Sequence, residues 1–324
     1  MSDDPIVIVG MARTPMGGFQ GDLADVKAPI LGAVAIEEAM KRAGVTGQDI
    51  DEVIMGCVLP AGLGQAPARQ ASFGAGIPDS VGCTTVNKMC GAGMKSAMLA
   101  HDLLVAGTNE VMVAGGMESM SNAPYLLPKA REGMRMGHGQ VMDHMFLDGL
   151  EDAYEEGRAM GSFAQQTADE YQLTRESMDK YSIESLTRAK AAIADGKFAR
   201  EITPVTIKAR KGDMVVDTDE APGKGMPDKI PTLRPAFAKD GTITAATSSS
   251  ISDGAAAVVL TTESKADGKK AVAKIVAHAA HAQEPSAFTT APIGAIEKCL
   301  KSAGWSVDDV ELWEVNEAFA CVAR

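Results

Sequence analysis

One stretch of sequence occurs twice in this chain, and this repeat constrains the fold more than any other feature. Residues 35–56 (AIEEAMKRAGVTGQDIDEVIMG) align without a gap with residues 295–316 (AIEKCLKSAGWSVDDVELWEVN), and apolar positions such as Met40 and Leu300 match in register. Two amphipathic helix–turn–strand units can converge on such a pattern. The gapless match favours the other interpretation, two copies of one α/β half with an insertion between them.

The repeat also indicates how far the second copy extends. The first copy continues through another helix to a strand ending at Gly116, whereas the second stops at Arg324, soon after Asn316. We therefore expect the second half to be incomplete in this chain, so that its missing strand and helix are supplied by no residue here.

Patterning in the first copy predicts strands that alternate with helices. The elements are a buried strand at Ile6–Gly10, a helix over residues 28–43 capped by Gly44, a strand over 51–58, a long helix after Asn87, and a strand over 111–114 ending at Gly115-Gly116. This alternation predicts a mostly parallel sheet with both faces covered.

The sequence between the copies has a different composition. Residues 122–161 are rich in Met, Gly and charge, residues 162–195 are helical with a second start at Thr174, and residues 201–219 alternate like a hairpin. Residues 221–235 carry many Gly and Pro and predict a loop. We therefore divide the chain into an N-terminal α/β half (1–120), an inserted ligand-binding lobe (121–245), closing strands of the first half (246–268) and a partial C-terminal half (269–324).

Composition excludes several classes of protein. The 43 acidic and 31 basic residues among 324 give a net charge of -12, which disfavours nucleic acid and acidic membranes as partners. No apolar run is long enough to span a bilayer, and the acidic start MSDDPIVIVG lacks the basic region of a leader peptide. Five scattered cysteines without CxxC spacing predict reduced thiols in a cytoplasmic protein and no metal site.

Cys90 is the strongest candidate for chemistry. It lies in VNKMCGAGMKSAMLA, between a strand-like stretch and residues with helical periodicity, so the sequence predicts a strand-to-helix turn. Free N–H groups and the helix dipole at such a position favour a thiolate. Gly91 and Gly93 permit close approach, and the Gly91 N–H is a candidate oxyanion donor. A cysteine in apolar surroundings is more often an inert core residue, but the turn position favours a nucleophile here.

The remaining candidate residues give weaker signals. None of the five histidines has an obvious catalytic context, and no general base for Cys90 is visible. A small, polar loop precedes a buried strand in GTITAATSSSISDGAAAVVL, and its hydroxyls suit a phosphate or an amide, or merely a linker. Asn316 is predicted at the carboxyl end of a buried strand, where open α/β sheets bind ligands.

Taken together, the motifs VNKMCGAGMKSAMLA, VAGGMESMSNAPYLL, LRPAF with GTITA, SDGAAAV and NEAFA resemble those of the thiolases, in particular the acetyl-CoA acetyltransferase type. The resemblance is collinear over the whole chain. It implies an α/β thiolase-like fold of two similar βαβαβαββ halves with an inserted loop lobe, the second half incomplete here.

The resemblance also implies roles for individual residues. Cys90 matches the nucleophile that accepts the acyl group, and Asn316 matches a residue that positions a catalytic water. The positions that match the lining of the CoA and pantetheine channel are Leu150, Met160, Phe237, Ala245, Ser249, Ala318 and Phe319.

Three departures from the family pattern stand out. Ala159 replaces a histidine that often touches the pantetheine, and Lys224 is the candidate substitute for an arginine often found near Gly223. The family's GHP histidine and CxGGG cysteine, which supply acid and base, lie downstream of Arg324.

The implied reaction is the reversible condensation of two acetyl-CoA to acetoacetyl-CoA and CoA through an acyl-cysteine. It needs no metal or other cofactor, because CoA is a substrate. The resemblance further implies a homo-oligomer, a tetramer or a dimer, with residues 126–144 resembling a tetramer-forming loop. The alternatives are an acyl-CoA-binding or assembly protein without activity, and a cysteine hydrolase, for which no histidine is placed.

Overall fold

The structure is a computed structural model that describes residues 4–208, 210, 212–266 and 268–324. The chain forms two compact units. Unit 1 comprises the residues up to Gly149 together with Phe198–Glu220 and Ile251–Ile275, and unit 2 comprises Leu150–Lys197, Ala221–Ser250 and Val276–Arg324. Each unit is described by itself below.

The strands of the described residues all belong to unit 1. They are β1 (Ile6–Arg13), β2 (Gly17–Gly18), β3 (Glu52–Gly56), β4 (Gly82–Val86), β5 (Val111–Ser119), β6 (Tyr125–Leu126), β7 (Met142–Asp143), β8 (Val205–Ile207), β9 (Met214–Val216), β10 (Ser252–Thr262) and β11 (Ala273–Ile275). The α-helices are α1 (Ala28–Ala43), α2 (Pro67–Gly74), α3 (Ala92–Val105), α4 (Met160–Glu170), α5 (Arg175–Ala194), α6 (Glu220–Lys224) and α7 (Ala291–Ala303).

The main sheet of unit 1 has the strand order β11-β1-β10-β5-β3-β4, with β2 paired to β10. Only the pairs β3–β4 and β3–β5 are parallel, because β10 lies antiparallel between β1 and β5, and β11 lies antiparallel to β1. The prediction of a mostly parallel sheet is therefore wrong. Its physical reason is that β10 arrives from a distant part of the sequence, which short-range alternation cannot reveal.

Both faces of this sheet are covered, as the sequence predicts. Alternate residues of one strand belong to different apolar clusters: Val53 and Met55 pack with α1 and α2, whereas Ile54 packs with α3. Because successive side chains of a strand point to opposite faces, α3 covers the face opposite to α1 and α2.

Local signals for helix ends are confirmed. α1 ends at Ala43, and Gly44 has a φ of 64°, a left-handed conformation that glycine adopts without strain. In unit 2, Thr174 caps α5 by accepting a hydrogen bond from the Ser177 N–H (3.2 Å). The predicted hairpin over 201–219 is present as β8 and β9, although Ala209 and Lys211 within it lie outside the described residues.

Two strand predictions need correction. β5 does not end at Gly115-Gly116 but continues to Ser119, because β10 pairs with it through Asp253. The segment Val310–Asn316, predicted as a buried strand, is irregular and mostly exposed. An extended segment obtains its main-chain hydrogen bonds from a neighbouring strand, and no strand of the described part of the chain pairs with this segment.

Within the described residues, the helices are all too short or too polar to cross a bilayer.

Candidate active site

Cys90 lies in the turn between β4 and α3, as the sequence predicts. Among the five cysteines only Cys90 is exposed. Burial and the nearby Glu118 carboxylate raise the pKa of Cys57 to about 12, and burial raises that of Cys321 to about 11. Those two thiols are therefore held in the neutral, unreactive form, whereas Cys90 is accessible to a reagent or substrate.

The turn that carries Cys90 is held by main-chain and side-chain hydrogen bonds. The Asn87 side chain accepts a bond from the Met89 N–H (2.9 Å), and Met89 has a φ of 49°, which is unusual for a residue with a side chain. The Gly91 N–H donates to the Lys88 carbonyl (3.1 Å). The expectation that this N–H is available for an oxyanion is therefore wrong, because the turn itself uses it.

Glycines allow the start of α3 to lie close to the ends of the strands. A Cβ on Gly56 would lie 2.6 Å from the Ala92 carbonyl carbon, and one on Gly116 would lie 3.1 Å from the Gly93 Cα. The buried Ser96 hydroxyl lies 2.6 Å from the Gly93 oxygen and 2.7 Å from the Gly115 oxygen, which ties the first turn of α3 to β5. Gly116 therefore allows the first turn of α3 to pack closely against β5, and a Cβ on Gly115 would lie 2.1 Å from the Ala256 carbonyl oxygen of β10.

Unit 2 contains a cleft of about 730 Å³. Its walls are α5, residues 221–233, the small residues 245–250 and the segment around Asn316. Residues 221–235 are not the predicted loop throughout, because they include most of α6 and a 3-10 helix over Pro227–Thr232. The cleft volume lies within the usual range for small-molecule and cofactor sites. Lys224 and Lys229 are the basic residues on the wall of the cleft, and Glu317 is the acidic one.

Residues 316–319, called the NEAF segment, are held to α5 by hydrogen bonds of Glu317. Its carboxylate accepts hydrogen bonds from the Tyr181 hydroxyl (2.8 Å) and the Ser185 hydroxyl (2.8 Å). Burial and this carboxylate raise the pKa of Tyr181 to about 12, so the phenol remains a donor. The Ser249 N–H donates to the Ala318 carbonyl (2.9 Å), which joins the segment to the small-residue loop. Asn316 itself is exposed at the cleft and not at a strand end.

Beside these residues lies an apolar cluster of unit 2 that contains Met160, Phe237, Ala318 and Phe319. The rings of Phe237 and Phe319 meet edge to face, with centroids 6.2 Å apart. A Cβ on Gly161 would lie 2.1 Å from the Phe237 ring, so this glycine makes room for the aromatic side chain.

Two family models match this chain. The model described as "Thiolase, N-terminal domain" matches residues 6–264, and that described as "Thiolase, C-terminal domain" matches residues 269–323. The chain belongs to the thiolase family. The C-terminal match extends to residue 323, so the expectation that the second half is cut short finds no support in these matches.

Individual relatives of this thiolase agree with the family. A protein of Arabidopsis thaliana named Acetyl-CoA acetyltransferase 2 is 50% identical over 323 residues, which cover 98% of this chain and 80% of the relative. The solved structure of Acetyl-CoA acetyltransferase from Syntrophomonas wolfei is 40% identical with a TM-score of 0.95, and covers 99% of this chain and 81% of its own. The Bacillus anthracis acetyl-CoA acetyltransferase structure is 37% identical with a TM-score of 0.95, and the corresponding shares are 99% and 82%. The expected thiolase-like α/β fold is confirmed.

The predicted site residues of this thiolase fall into both units. Cys90 belongs to unit 1, and all the others belong to unit 2. The cleft of unit 2 brings together Lys224, Ala245, Ser249 and Asn316. The residues not on the wall of this cleft are Met160, Phe237, Ala318 and Phe319, which form the neighbouring cluster, and Leu150, which is half-buried at the end of a π-helix.

Sequence reasoning missed Tyr181, Ser185 and Glu317, which hold the NEAF segment, and Glu118, which lies beside Cys57. Both glutamates lie within motifs singled out from the sequence. For the half-buried Glu118 a signal existed, because a charged residue in an apolar stretch needs a partner when it is buried. Glu317 is exposed and gave no such signal. The hydroxyls of α5 gave no such signal, because a helix with Tyr and Ser on one side is a common surface pattern.

Proposed function

We propose that this thiolase is an acetyl-CoA C-acetyltransferase that condenses two acetyl-CoA into acetoacetyl-CoA and CoA, with Cys90 as the nucleophile. The observation that carries the proposal is the one exposed cysteine, placed at a strand-to-helix turn by residues shared with the family motif. The names of the relatives state the same activity.

In the first step the Cys90 thiolate attacks the carbonyl carbon of acetyl-CoA. A new C–S bond forms to Sγ, the C–S bond to CoA breaks, and CoA leaves as a thiolate that takes up a proton. One thioester replaces another, so the step is close to balanced and reversible. The developing oxyanion requires hydrogen-bond donors, and Asn316, through a water, is the proposed contributor.

In the second step a base removes an α-proton from a second acetyl-CoA. The enolate carbon attacks the acyl-cysteine, a C–C bond forms, and Cys90 leaves as a thiolate. The products are acetoacetyl-CoA and the free enzyme, so no redox change occurs and no metal or other cofactor is required.

We assign CoA to the cleft of unit 2. Lys224 and Lys229 supply positive charge for its phosphates, and Ala245 and Ser249 offer small side chains and a hydroxyl to the pantetheine arm. Met160, Phe237, Ala318, Phe319 and Leu150 complete the apolar surroundings in this proposal. Ala159 at the N-cap of α4 has no side chain able to form a hydrogen bond with the pantetheine.

The alternative, an acyl-CoA-binding or assembly protein without activity, is not favoured, because the relatives carry the names of active transferases. We further propose a cytoplasmic homo-oligomer, a dimer or tetramer, in which residues 121–245 form the CoA-binding lobe between the N-terminal half (1–120) and its closing strands (246–268), and residues 269–324 belong to the C-terminal half.

The test uses the full chain with acetyl-CoA. Mass spectrometry of peptides is expected to find an acetyl group on Cys90 and on no other cysteine, and chromatography is expected to find free CoA and acetoacetyl-CoA. In Cys90→Ala we expect no acetylated cysteine, no free CoA and no acetoacetyl-CoA. Acetoacetyl-CoA made by Cys90→Ala at the rate of the unmodified chain would overturn the proposal.

A further inference from the structure

Glu118 is a half-buried carboxylate that the proposed reaction does not use. It lies on β5, where its two oxygens accept hydrogen bonds from the main-chain N–H groups of Val58 (2.8 Å) and Leu59 (3.1 Å). The Cys57 thiol also points at it, with Sγ 3.7 Å from Oε1. Burial raises the pKa of Glu118, and the two N–H donors partly offset this. These partners offset the cost of burying the carboxylate, which would be high without them.

A continuous series of hydrogen bonds leads from Glu118 to the turn that carries Cys90. The Val58 carbonyl accepts a bond from the Asn87 side-chain amide (3.4 Å), and the Asn87 side-chain oxygen accepts one from the Met89 N–H (2.9 Å). A second connection runs beside it, from the Cys57 N–H to the Val86 carbonyl (3.0 Å).

The end of this series is the strained residue of the turn. Met89 has a φ of 49°, and a residue with a side chain keeps such a conformation only when its surroundings hold it there. Cys90 follows directly, so the direction of its side chain depends on whether Met89 stays in the left-handed region.

We propose that Glu118 is a positioning residue for Cys90, which acts through Val58 and Asn87 to hold Met89 in its left-handed conformation. The proposal extends the proposed function to one more residue, but most of its test needs no acetyl-CoA. The hydrogen bonds of Glu118 go to Cys57, Val58 and Leu59, so it fixes the segment after β3, and that segment fixes Asn87.

Three substitutions test the hydrogen bonds of Glu118 and Asn87 separately. Glu118→Gln keeps one acceptor oxygen but turns an NH₂ group toward one of the two N–H donors. Asn87→Ala removes both bonds of Asn87, whereas Asn87→Asp keeps the acceptor for the Met89 N–H, loses the donor to Val58 and adds a negative charge, whose effect on the thiol is separated by measuring the alkylation rate against pH. Asn87 is exposed, so its variants are not expected to threaten folding.

Glu220 offers a matched control in the same unit. It is a more deeply buried glutamate whose Oε2 accepts two main-chain N–H bonds, from Gly18 (2.7 Å) and Asp22 (3.0 Å), and neither of these residues belongs to the series that leads to Cys90. Because both bonds go to one oxygen, Glu220→Gln can keep them, and the variant reports the effect of removing a glutamate charge elsewhere in the unit.

The readout is the second-order rate of Cys90 alkylation by iodoacetamide, measured by peptide mass spectrometry on the folded chain. Glu118→Gln, Asn87→Ala and Asn87→Asp are each expected to lower it about fivefold or more, and the Glu118→Gln/Asn87→Ala double variant no further than the lower single variant, because both act on one path. Glu220→Gln is expected to stay within twofold of the unmodified chain.

Three results would overturn the proposal: full reactivity of Asn87→Asp, additive losses in the double variant, or an equal loss in Glu220→Gln. Should Glu118→Gln not fold, Glu118→Asp replaces it, since it keeps both oxygens but withdraws them by one methylene. With acetyl-CoA, Glu118→Gln is expected to lower kcat with little change in KM. Absence of any acetyl-Cys90 in the unmodified chain would contradict the proposed function and leave the alkylation result standing.

Discussion

The two copies of the sequence repeat fold alike at their turns. Gly44 and Gly304 follow α1 and α7 with φ values of 64° and 70°, and both helices end at equivalent alanines. The short turn after each helix is closed in the same way. The Thr46 N–H and hydroxyl lie 2.7 and 2.8 Å from an oxygen of Asp49, and the corresponding distances from Ser306 to Asp309 are 2.7 and 2.8 Å.

The same copies differ completely in what surrounds them. α1 has ten buried residues, packed on the sheet and on α2, and β3 pairs on both sides, whereas no residue of α7, all of which are described, is buried. The segment after the second turn, Val310–Asn316, forms no strand. The comparison teaches that caps and turns are set by a few neighbouring residues, whereas a strand exists only where another strand accepts its hydrogen bonds.

The largest expected difference in stability is between Ile36 and Ile296, which occupy equivalent positions of the repeat. Ile36 is fully buried, so Ile36→Ala should lower the free energy of unfolding by about 2–5 kcal/mol. Its counterpart Ile296 is only half-buried, and Ile296→Ala should cost about 1 kcal/mol. Urea unfolding followed by circular dichroism measures both. Equal losses would mean that the second copy is packed as tightly as the first.

The two cap glycines should respond equally. Nothing lies within 4 Å of a Cβ built on Gly44 or on Gly304, so only backbone strain opposes an alanine. Gly44→Ala and Gly304→Ala should each cost about 1–2 kcal/mol, by the same measurement. A loss of stability confined to Gly44→Ala would show that the burial of the preceding helix, and not the left-handed φ of the glycine, sets the cost.

The capping residues should give smaller and again similar effects. Thr46→Ala and Ser306→Ala each remove the hydroxyl that faces the following aspartate, and we expect each to cost about 1 kcal/mol or less. Local hydrogen exchange at residues 47–50 and 307–310 is the suitable measurement, because it reports each turn separately. If only one turn loosens, the two are not equivalent.

The smallest effect is a pH dependence at the two aspartates. Hydrogen bonds from Thr46 and from Ser306 lower the pKa of Asp49 and of Asp309. A carboxyl whose pKa is lowered on folding stabilises the folded state above its unfolded pKa of 3.8, and this contribution is lost as the pH falls through the lower folded pKa. Carboxyl titration by NMR should place both midpoints below those of unbonded aspartates, and Thr46→Ala and Ser306→Ala should each raise the midpoint of the neighbouring aspartate only part of the way, because the main-chain N–H bond remains. An ordinary midpoint at either position in the unmodified chain would break the equivalence of the turns.

These contrasts explain which parts of the fold could be predicted. The helix over 28–43, its cap at Gly44 and the start at Thr174 follow from nearby residues, and the structure confirms them. The antiparallel place of β10 between β1 and β5 depends on residues far apart in sequence, and Val310–Asn316 has strand-like patterning without a partner. Neither could be deduced from local pattern.

The candidate site likewise has some features that nearby residues predict and others that depend on distant residues. The position of Cys90 between a strand and a helix is a local property, and it was predicted. Other contacts of the site join residues that are far apart in sequence. Tyr181 and Ser185 donate hydrogen bonds to Glu317, and Glu118 accepts hydrogen bonds from Val58 and Leu59. The use of the Gly91 N–H within its own turn needed the actual backbone path, because an N–H at a helix start looks free in the sequence.

The place of β10 in the sheet has a consequence for how the protein is made. β1 and β5 are joined only through this strand, and the chain between Ser119 and Ser252 must be synthesised before it exists. At about 5–20 residues per second, that leaves the nascent sheet open in its middle for roughly 7 to 27 seconds. Through this interval the flanking strands present unpaired edges, so a ribosome-bound chaperone that shields them would raise the yield of native protein.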